Sequence, residues 1–421
     1  MTTFSLPYGH SHLDIEIPGS LQVDQLLPQP AAVMEDPDLV IGNAISAPIG
    51  KDSWQTFIGA KTVGIAINDK TRPISKPNPI QHLLNHLEAF GFEASQITLF
   101  VGSGTHPPMT LAELPRILDQ PIIDRYRVVI HDCDHSPMVD LGDTNYHNPI
   151  QINADYYYCD LKISVGNIEP HHFMGFSGGV KTAAIGLASR NTITANHAML
   201  AHPKAQTGVY HLNPLRQEVE EIGRKARVHF SLGTILDEEK RIIDVYFGEP
   251  IAVMNAAIPV VRGIFGVSIP HLFDLVIASP GGAPKDINLY QSQKALTHAA
   301  RITRDGGWVV LLAACPEGSG SQAYEDYVTQ AKSHQSIINH FSRGYFKVGP
   351  HKALLIARDA VRVNIVLVSD LPPQTVKGWK LTPSQPELAN ALVKWVESKL
   401  PKVARVAILP AATRTMTEVN Q

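Results

Sequence analysis

The sequence predicts an α/β protein of two domains, each built on a mostly parallel, doubly wound sheet. Its length of 421 residues exceeds what a single hydrophobic core usually holds. Short β-branched runs alternate with amphipathic stretches along most of the chain, as in strand–helix–strand units. The alternation restarts around residues 258–271, so we place the domains at 1–265 and 266–421.

Composition and charge exclude several classes of protein. Hydrophobic residues make up 44% of the chain, charged residues 18%, and the net charge is −3, which favours a soluble globular protein without a surface for nucleic acid or anionic membranes. Three cysteines, Cys133, Cys159 and Cys315, lack C-x-x-C spacing and fit a reducing compartment. The N-terminus has no signal-peptide pattern and no apolar run is long enough to span a bilayer, so we expect a cytoplasmic protein.

The N-terminal domain is expected to begin with an extended arm, because residues 1–60 contain proline-rich stretches. Thr110 and Glu113 form a capping-box pattern that predicts a helix from residue 111. The other expected elements are strands at 62–67, 96–101 and 127–131, two strands within 150–165, helices at 79–90, 111–118 and 213–227, and a hairpin over 228–247.

The C-terminal domain repeats the alternation. Its expected elements are strands at 274–278, 307–314, 363–368 and 403–409, and helices at 291–302, 321–343, 351–360 and 385–400. In doubly wound sheets, ligands bind at the carboxyl ends of the strands. Four polar segments occupy such positions, namely 69–73, 102–106, 166–171 and 279–294.

The segment 166–199 carries the greatest density of reactive side chains. His171 and His172 precede a glycine-rich turn, G-F-S-G-G at 175–179, and a lysine follows it. Glycines let the backbone approach a ligand closely. We expect a helix over 180–187, whose start would suit a phosphate. The alternatives are an ordinary turn and structural histidines.

The separation of Lys181 and His197 limits how the rest of this segment can fold. His197 lies 16 residues after Lys181, which is about 24 Å along one unbroken helix. Gly186 and residues 189–191 can break the helix. We therefore expect two short helices that bring Lys181, His197 and His171 together.

Two more groups of side chains follow strands of the N-terminal domain. Asp69, Thr71 and Arg72 close one strand, and the arginine is a planar donor for a carboxylate or phosphate. His106 ends another strand in a loop stiffened by prolines, which suits a general base. A loop ion pair and a structural histidine are the alternatives, and we weigh them about equally.

In the C-terminal domain, Gln291 and Lys294 share a helix face and could hold a polar group of a small anion, or simply be solvated. A Walker A lysine motif and G-x-G-x-x-G are absent from the sequence, and G-x-S-x-G is matched only by the glycine-rich turn at 175–179. Zinc-type His-x-x-x-His spacing occurs at 82–86 and 131–135, but none of the histidines named above has it. A metal, if one is used, would have few protein ligands, so a cofactor would have to supply the others.

Taken in order, these motifs are similar to those of a known family. They are D-K-T-R-P (69–73), G-T-H-P-P-M-T (104–110), H-H-F-M-G-F-S-G-G-V-K (171–181), A-S-R-N-T-I-T-A-N-H (188–197), P-K-A-Q-T-G (203–208), G-G-A-P-K-D-I-N-L-Y-Q-S-Q-K (281–294) and the closing helix and strand near 352–369. They spread over nearly the whole chain in family order. The chain therefore resembles the lactate racemase family, which uses a nickel-pincer nucleotide cofactor.

The resemblance implies a cofactor site in the N-terminal domain. Lys181 would bond covalently to the cofactor through its thioamide. His197 would be the protein ligand of nickel, beside a carbon and two sulfurs of the pincer, a donor set that fits square-planar Ni(II). Further cofactor contacts are expected from Asp69, Thr71, Ser177, Gly178 and Gly179.

The resemblance also implies the reaction. His106 and His171 would be an acid–base pair at the C2 hydroxyl of a 2-hydroxy acid, and the cofactor would take and return the C2 hydride. Arg72, Gln291 and Lys294 would orient the substrate in a cleft between the two domains. Separate cofactor-biosynthesis proteins are expected as partners in maturation, whereas nucleic acid and membranes are not.

One departure from the family pattern concerns the substrate. Where lactate racemases carry a tryptophan near the active site, this chain has Pro350-His351-Lys352. We therefore expect His351 to face a larger or more polar acid than lactate, such as malate or a sugar acid. The alternatives are a dehydrogenase, which the missing dinucleotide motif disfavours, a hydro-lyase, or a non-catalytic homologue, which the presence of both His106 and His171 disfavours.

Overall fold

The computed structural model describes residues 1–343, 345–347 and 349–419. Contacts divide the chain into a middle unit, residues 30–264, and a terminal unit, residues 1–29 together with the chain from 265 onward. The second boundary lies beside the predicted one. The first corrects our prediction, because residues 1–29 belong to the terminal unit and not to the N-terminal domain to which we assigned them.

The bounds of the elements, within the described residues, are as follows. The strands are β1 (Thr2–Tyr8), β2 (Ser11–Ile17), β3 (Gln22–Gln25), β4 (Val63–Asn68), β5 (Ile97–Gly102), β6 (Arg127–Ile130), β7 (Met138–Asp143), β8 (Pro149–Asn153), β9 (Leu161–Asn167), β10 (Pro170–His171), β11 (Gly175–Phe176), β12 (Phe230–Leu236), β13 (Ile242–Gly248), β14 (Gly266–Ile269), β15 (Phe273–Ala278), β16 (Thr303–Leu312), β17 (Asn364–Val368), β18 (Thr382–Ser384), β19 (Arg405–Leu409) and β20 (Met416–Val419). The helices are α1 (Pro37–Ser46), α2 (Pro79–Phe90), α3 (Gln120–Arg125), α4 (Ala154–Tyr157), α5 (Lys181–Ala184), α6 (Arg190–Ala198), α7 (Pro214–Lys225), α8 (Pro250–Phe265), α9 (Leu289–Ile302), α10 (Gln322–Gln330), α11 (His334–Phe341), α12 (His351–Ala360), α13 (Pro373–Gly378) and α14 (Ala389–Glu397).

The middle unit is built on a six-stranded sheet with the order β13-β12-β9-β4-β5-β6. All neighbours are parallel except β12 and β13, which form the predicted antiparallel hairpin. The central strands β4 and β5 are buried along nearly their whole length, as expected for strands covered on both faces. From β4 the chain adds β5 and β6 on one side, and then β9 and β12 on the other. The switch point of this sheet therefore lies between β4 and β9.

Local signals account for several boundaries in this unit. Helix α2 has the predicted bounds, because Asn78 caps its start and Gly91 ends it with a φ of 117°. The helix expected over 111–118 is instead a 3₁₀ helix, Leu111–Arg116, with the predicted capping box. Pro115 lies inside that segment and lacks the N–H that a continuing α-helix needs.

The terminal unit has a second six-stranded sheet, with the order β18-β17-β16-β15-β19-β3 and all neighbours parallel. Its switch point lies between β15 and β19. The helix expected over 321–343 is two helices, α10 and α11, because Ser333 caps the start of the second.

Residues 1–29 join the terminal unit for a physical reason. Strands β1 and β2 form a hairpin whose side chains Leu6, Ile15 and Ile17 are fully buried in the core of that unit. Strand β3 pairs with β19 and completes the sheet. Within the described residues, no helix combines the length and the apolar character that crossing a bilayer requires.

Candidate active site

Three neighbouring strands of the middle unit carry predicted site residues at their carboxyl ends. Asp69 follows β4, His106 lies in the loop after β5, and His171 is in β10, shortly after β9. The three strands are adjacent and parallel, so their carboxyl ends meet at one edge of the sheet, next to its switch point. The topology therefore brings these three side chains to the position where doubly wound sheets bind ligands.

Asp69 and His106 are in direct contact. Nδ1 of His106 lies 2.9 Å from Oδ2 of Asp69, and Oδ1 accepts from the Thr71 hydroxyl at 2.5 Å and from its backbone N–H at 3.1 Å. Burial alone would raise the pKa of Asp69, but the hydrogen bonds from His106 and Thr71 outweigh it, and the pKa lies below its usual range. Arg72 belongs to the same turn, where its N–H donates to the Asp69 carbonyl at 3.2 Å.

The two short helices that we predicted after the glycine-rich turn are present. Helix α5 begins at Lys181, and α6 begins after Ser189, whose hydroxyl accepts from the Thr192 N–H at 3.2 Å. The helix predicted over 180–187 is wrong in its length, because α5 is a single turn. The break brings Lys181 close enough to His197 for its charge to disfavour protonation of that imidazole.

His197 lies near the end of α6 in an environment that keeps its ring neutral. Burial first, and then the charges of Lys181 and His106, lower its pKa to about 3, and the Ile193 carbonyl offsets this only in part. Nδ1 of His197 is buried, and no hydrogen bond of normal geometry reaches it from the described residues. A neutral imidazole with an unused ring nitrogen is a suitable ligand for a transition metal.

Phe173 connects the histidines of this region. Its ring packs edge-on against His171 at 4.7 Å, His172 at 4.5 Å and His197 at 5.2 Å between centroids. His171 and His172 stack on each other at 4.8 Å, and Nδ1 of His171 accepts from the Met174 N–H at 3.2 Å. Phe173 was not singled out from the sequence, although its place beside two histidines was a possible signal.

The glycine-rich turn has a packing role. Gly178 and Gly179 have positive φ angles of 82° and 60°, and a Cβ at these positions would lie 2.5 Å from Ile168 Cγ1 and 2.8 Å from Nη2 of Arg216. The hydroxyl of Ser177 donates to the Asn167 carbonyl at 2.8 Å.

The side chain of Arg216 also binds this turn. Its guanidinium is fully buried and donates to the carbonyls of Phe176 at 3.1 Å and Gly178 at 3.2 Å. Ser177, Gly178 and Gly179 thus have a packing role, and the cofactor contacts expected of them stay a prediction. A one-turn helix offers little dipole for the phosphate that we expected there.

In the terminal unit, Gln291 and Lys294 lie on one face of α9, as predicted. Asn288 caps the helix by accepting from the Gln291 N–H at 3.0 Å, and Nζ of Lys294 donates to Oε1 of Gln291 at 2.9 Å. The two side chains therefore act as one polar group near the start of the helix.

His351 begins α12 and is 4% exposed. Its ring lies 6.1 Å from that of Tyr290. Lys352 is also buried, with Nζ 3.0 Å from Oε1 of Gln293 and 4.3 Å above the Tyr290 ring. Tyr290 and Lys352 were not chosen as site residues from the sequence, although Lys352 directly follows His351.

The side chains around His197 fit the cofactor that the family resemblance implies. The buried, neutral ring of His197 offers one metal ligand, and the Lys181 amine is nearby. In the described residues, the one cluster with three His, Cys or carboxylate ligands is Asp132, Cys133 and Asp134, and Arg190 already occupies both oxygens of Asp134. A metal at His197 would thus take its other donors from the cofactor.

Two family models match the chain in order, the lactate racemase N-terminal domain over residues 8–208 and the lactate racemase C-terminal domain over residues 270–416. The chain is 29% identical to a lactate racemase of Thermoanaerobacterium thermosaccharolyticum over 422 residues, covering 97% of this chain and 98% of the relative. It is 28% identical to a lactate racemase of Lactiplantibacillus plantarum, with the same coverage.

Solved structures agree with these matches. The lactate racemase apoprotein from T. thermosaccharolyticum superposes with a TM-score of 0.90 at 26% identity, over 99% of this chain and 100% of that chain. A protein from Thermotoga maritima has a TM-score of 0.64 at 16% identity, over 94% of this chain and all of that chain, and shows the fold alone. Both domain matches and the full-length relatives show that the chain belongs to the lactate racemase family and is an isomerase of the racemase class.

Proposed function

We propose that this protein is a racemase or epimerase that inverts C2 of a 2-hydroxy acid with the help of a nickel-pincer nucleotide. The observation that supports the proposal is that Lys181 and His106 lie close enough to His197, near the switch point of the middle unit, for their charges to lower the pKa of that imidazole. His171 joins the group through Phe173. This set combines an amine, a neutral imidazole for a metal, and two imidazoles for proton transfer.

The amine of Lys181 would tether the cofactor, and His197 would ligate its nickel. When bound, the cofactor supplies a reversible acceptor for the hydride of C2. The low pKa of His197, about 3, supports the ligand role, because the ring needs no deprotonation before it can bind a metal. Phe173 packs against the ring and limits its rotation.

His106 and His171 would handle the proton of the C2 hydroxyl. The hydroxyl occupies different positions in the two stereoisomers, so one imidazole on each side is needed. Arg72, a planar donor, would hold the substrate carboxylate. Its backbone is anchored on the Asp69 carbonyl, in the same turn that contacts His106.

The substrate is proposed to be larger or more polar than lactate, such as malate. Gln291, Lys294 and His351 would orient it. The surroundings of His351 support this, because Tyr290 and the buried Lys352 add polar atoms where the family carries an indole. Burial, and then the charge of Lys294, lower the pKa of Lys352 well below its usual range, so its amine is a hydrogen-bonding group more than a fixed charge. Such a group favours a ligand with an additional polar group.

The cofactor assignment is tested on protein expressed in a host that makes the cofactor. We expect mass spectrometry to show a covalent adduct on Lys181, and metal analysis to show about one nickel per chain. Lys204, an exposed lysine of the same unit, is the internal control and should stay unmodified. An unmodified Lys181 from such a host contradicts the assignment. In a host without the maturation proteins we expect the apoprotein.

The activity is tested with the loaded enzyme on a panel of single-enantiomer 2-hydroxy acids, by following the loss of optical rotation. We expect racemisation of malate or another polar acid to exceed that of lactate in kcat/KM. A kcat/KM for lactate clearly above that of the other acids would contradict only the substrate assignment. Retention of optical rotation by every acid would overturn the proposed function.

A further inference from the structure

The carboxylate of Asp69 is fully engaged within the protein. Oδ2 lies 2.9 Å from Nδ1 of His106, and Oδ1 accepts two hydrogen bonds from Thr71, at 2.5 and 3.1 Å. Asp69 is 4% exposed, so water does not compete strongly for these oxygens. Family resemblance suggested a cofactor contact for Asp69 and Thr71, whereas the contacts in the structure lead to His106.

The contact determines which ring nitrogen of His106 carries a proton. An ionised carboxylate only accepts hydrogen bonds, so the nitrogen that faces it must donate. The lowered pKa of Asp69 keeps the carboxylate ionised at neutral pH. In the neutral ring of His106, Nδ1 therefore carries the hydrogen and Nε2 keeps its lone pair.

His171 has the opposite arrangement. Its Nδ1 lies 3.2 Å from the backbone nitrogen of Met174, and a backbone N–H only donates. The neutral ring of His171 therefore carries its hydrogen on Nε2. The two imidazoles rest as different tautomers, because one faces a carboxylate and the other an amide N–H.

We propose that Asp69 is a positioning residue for His106. It holds the ring with Nε2 available as a proton acceptor, and it balances the charge that the ring gains. This inference rests on the proposed function. In that reaction the O–H bond of the C2 hydroxyl would break as an N–H bond forms at Nε2, and the ring would become an imidazolium beside the carboxylate. The bound cofactor would supply the acceptor for the C2 hydride. The proton returns to an oxygen when the acid is re-formed.

The first test measures the tautomers directly in the apoprotein. Two-bond ¹H–¹⁵N correlation spectra distinguish Nδ1–H from Nε2–H imidazoles, and the His106→Asn and His171→Asn variants assign the two signals by their disappearance. We expect His106 as the Nδ1–H form and His171 as the Nε2–H form. An Nε2–H signal for His106 near neutral pH overturns the proposal. This result does not depend on turnover, so it separates failure of the proposal from failure of the proposed function.

The second test uses Asp69→Asn in the loaded enzyme. Asparagine keeps the size but loses the charge, and its amide can present a donor to Nδ1, which favours the wrong tautomer. We expect kcat to fall by about 10²- to 10⁴-fold, while KM changes less than about threefold, because His106 and Thr71 already engage both oxygens of Asp69. A kcat within about threefold of the unaltered enzyme contradicts the proposal.

The chain offers a matched control for this variant. Asp132 accepts from Nδ1 of His135 at 3.0 Å, in a similar pair that is exposed and lies outside the site. We expect Asp132→Asn to leave kcat unchanged. Thermal unfolding of Asp69→Asn checks its fold, and should that variant fail to fold, the tautomer of His106 in the unaltered apoprotein decides the question.

Discussion

His106 and His197 lie in the same unit and within electrostatic reach of each other, yet their surroundings differ. His106, in the loop after β5, is half exposed and bonded to a buried carboxylate. His197, near the end of α6, has no carboxylate partner in the described residues, and its pKa falls to about 3. One ring contacts a carboxylate, and the other is buried near a lysine that disfavours its protonation.

The difference shows that the surroundings of an imidazole, more than its presence in a motif, determine its chemistry. A carboxylate neighbour stabilises the imidazolium form that a general base must reach. Burial beside a lysine excludes that form and leaves a neutral ligand for a metal. Each of the following predictions tests one side of this contrast or its structural support.

The largest effect is expected on metal binding. Replacing His197 by alanine should reduce nickel in the cofactor-loaded protein from about one per chain to below about a tenth, because the site loses its protein ligand. Metal analysis after gel filtration measures this. His202→Ala, at an exposed histidine five residues later, should retain nickel. Full nickel retention in His197→Ala would mean that another group ligates the metal.

A kinetic effect is expected at His106. His106→Asn should lower kcat by at least about 10²-fold, because asparagine cannot accept the hydroxyl proton, while bound nickel stays unchanged. The control is His135→Asn, which removes an exposed histidine with a similar aspartate partner and should leave kcat as it is. If His106→Asn lost nickel as well, the division of roles between the two histidines would be wrong.

The difference between His106 and His197 also depends on the glycine-rich turn, because that turn places Lys181 near His197. Gly178→Ala should lower the free energy of unfolding by about 1–3 kcal/mol, because the added Cβ meets Ile168 at 2.5 Å and φ is positive. Denaturant unfolding of the apoprotein measures this. Gly42→Ala, in α1, has no atom within 4 Å of its Cβ and should instead stabilise the protein by about 0.5–1 kcal/mol. Equal effects of the two substitutions would contradict the packing role.

The smallest effect concerns pH. The folded pKa of His197, about 3, lies below the unfolded value near 6.5, so the unfolded chain binds one more proton between these pH values. Its contribution to stability is complete above about pH 6.5 and is lost as the pH falls towards 3. The slope of the unfolding free energy against pH reports how many more protons the unfolded chain binds. His197→Gln should therefore reduce this difference in the same window by up to about one proton. An unchanged slope in the apoprotein would show that the ring is not desolvated.

Local signals in the sequence were sufficient for many elements. Helix α2 has its predicted bounds because its caps, Asn78 and Gly91, are adjacent to it in the chain. The break between α5 and α6 was predicted from Gly186 and residues 189–191, and in the structure Ser189 caps the second helix. Residues 1–29 were assigned to the wrong unit, because the partner of β3 is β19, which lies almost at the other end of the sequence.

The candidate site also has features that local sequence signals predict and features that they do not. Motif order identified the family and singled out Lys181, His197, His106 and His171 as candidates, since both depend on residue types and spacing. The contact between Asp69 and His106 was not predicted, because the two residues lie 37 positions apart and follow different strands. Packing around the glycine-rich turn was missed too, since Arg216 reaches it from α7.

By itself, the sequence determined the α/β class, most strands and helices, and the set of reactive side chains. Only the tertiary structure decided which imidazole is paired with a carboxylate and which is desolvated beside an amine. The reason is that desolvation and charge act through space over a few ångströms. The groups that exert them on His106 and His197 come from separate elements that meet only at the carboxyl edge of the folded sheet.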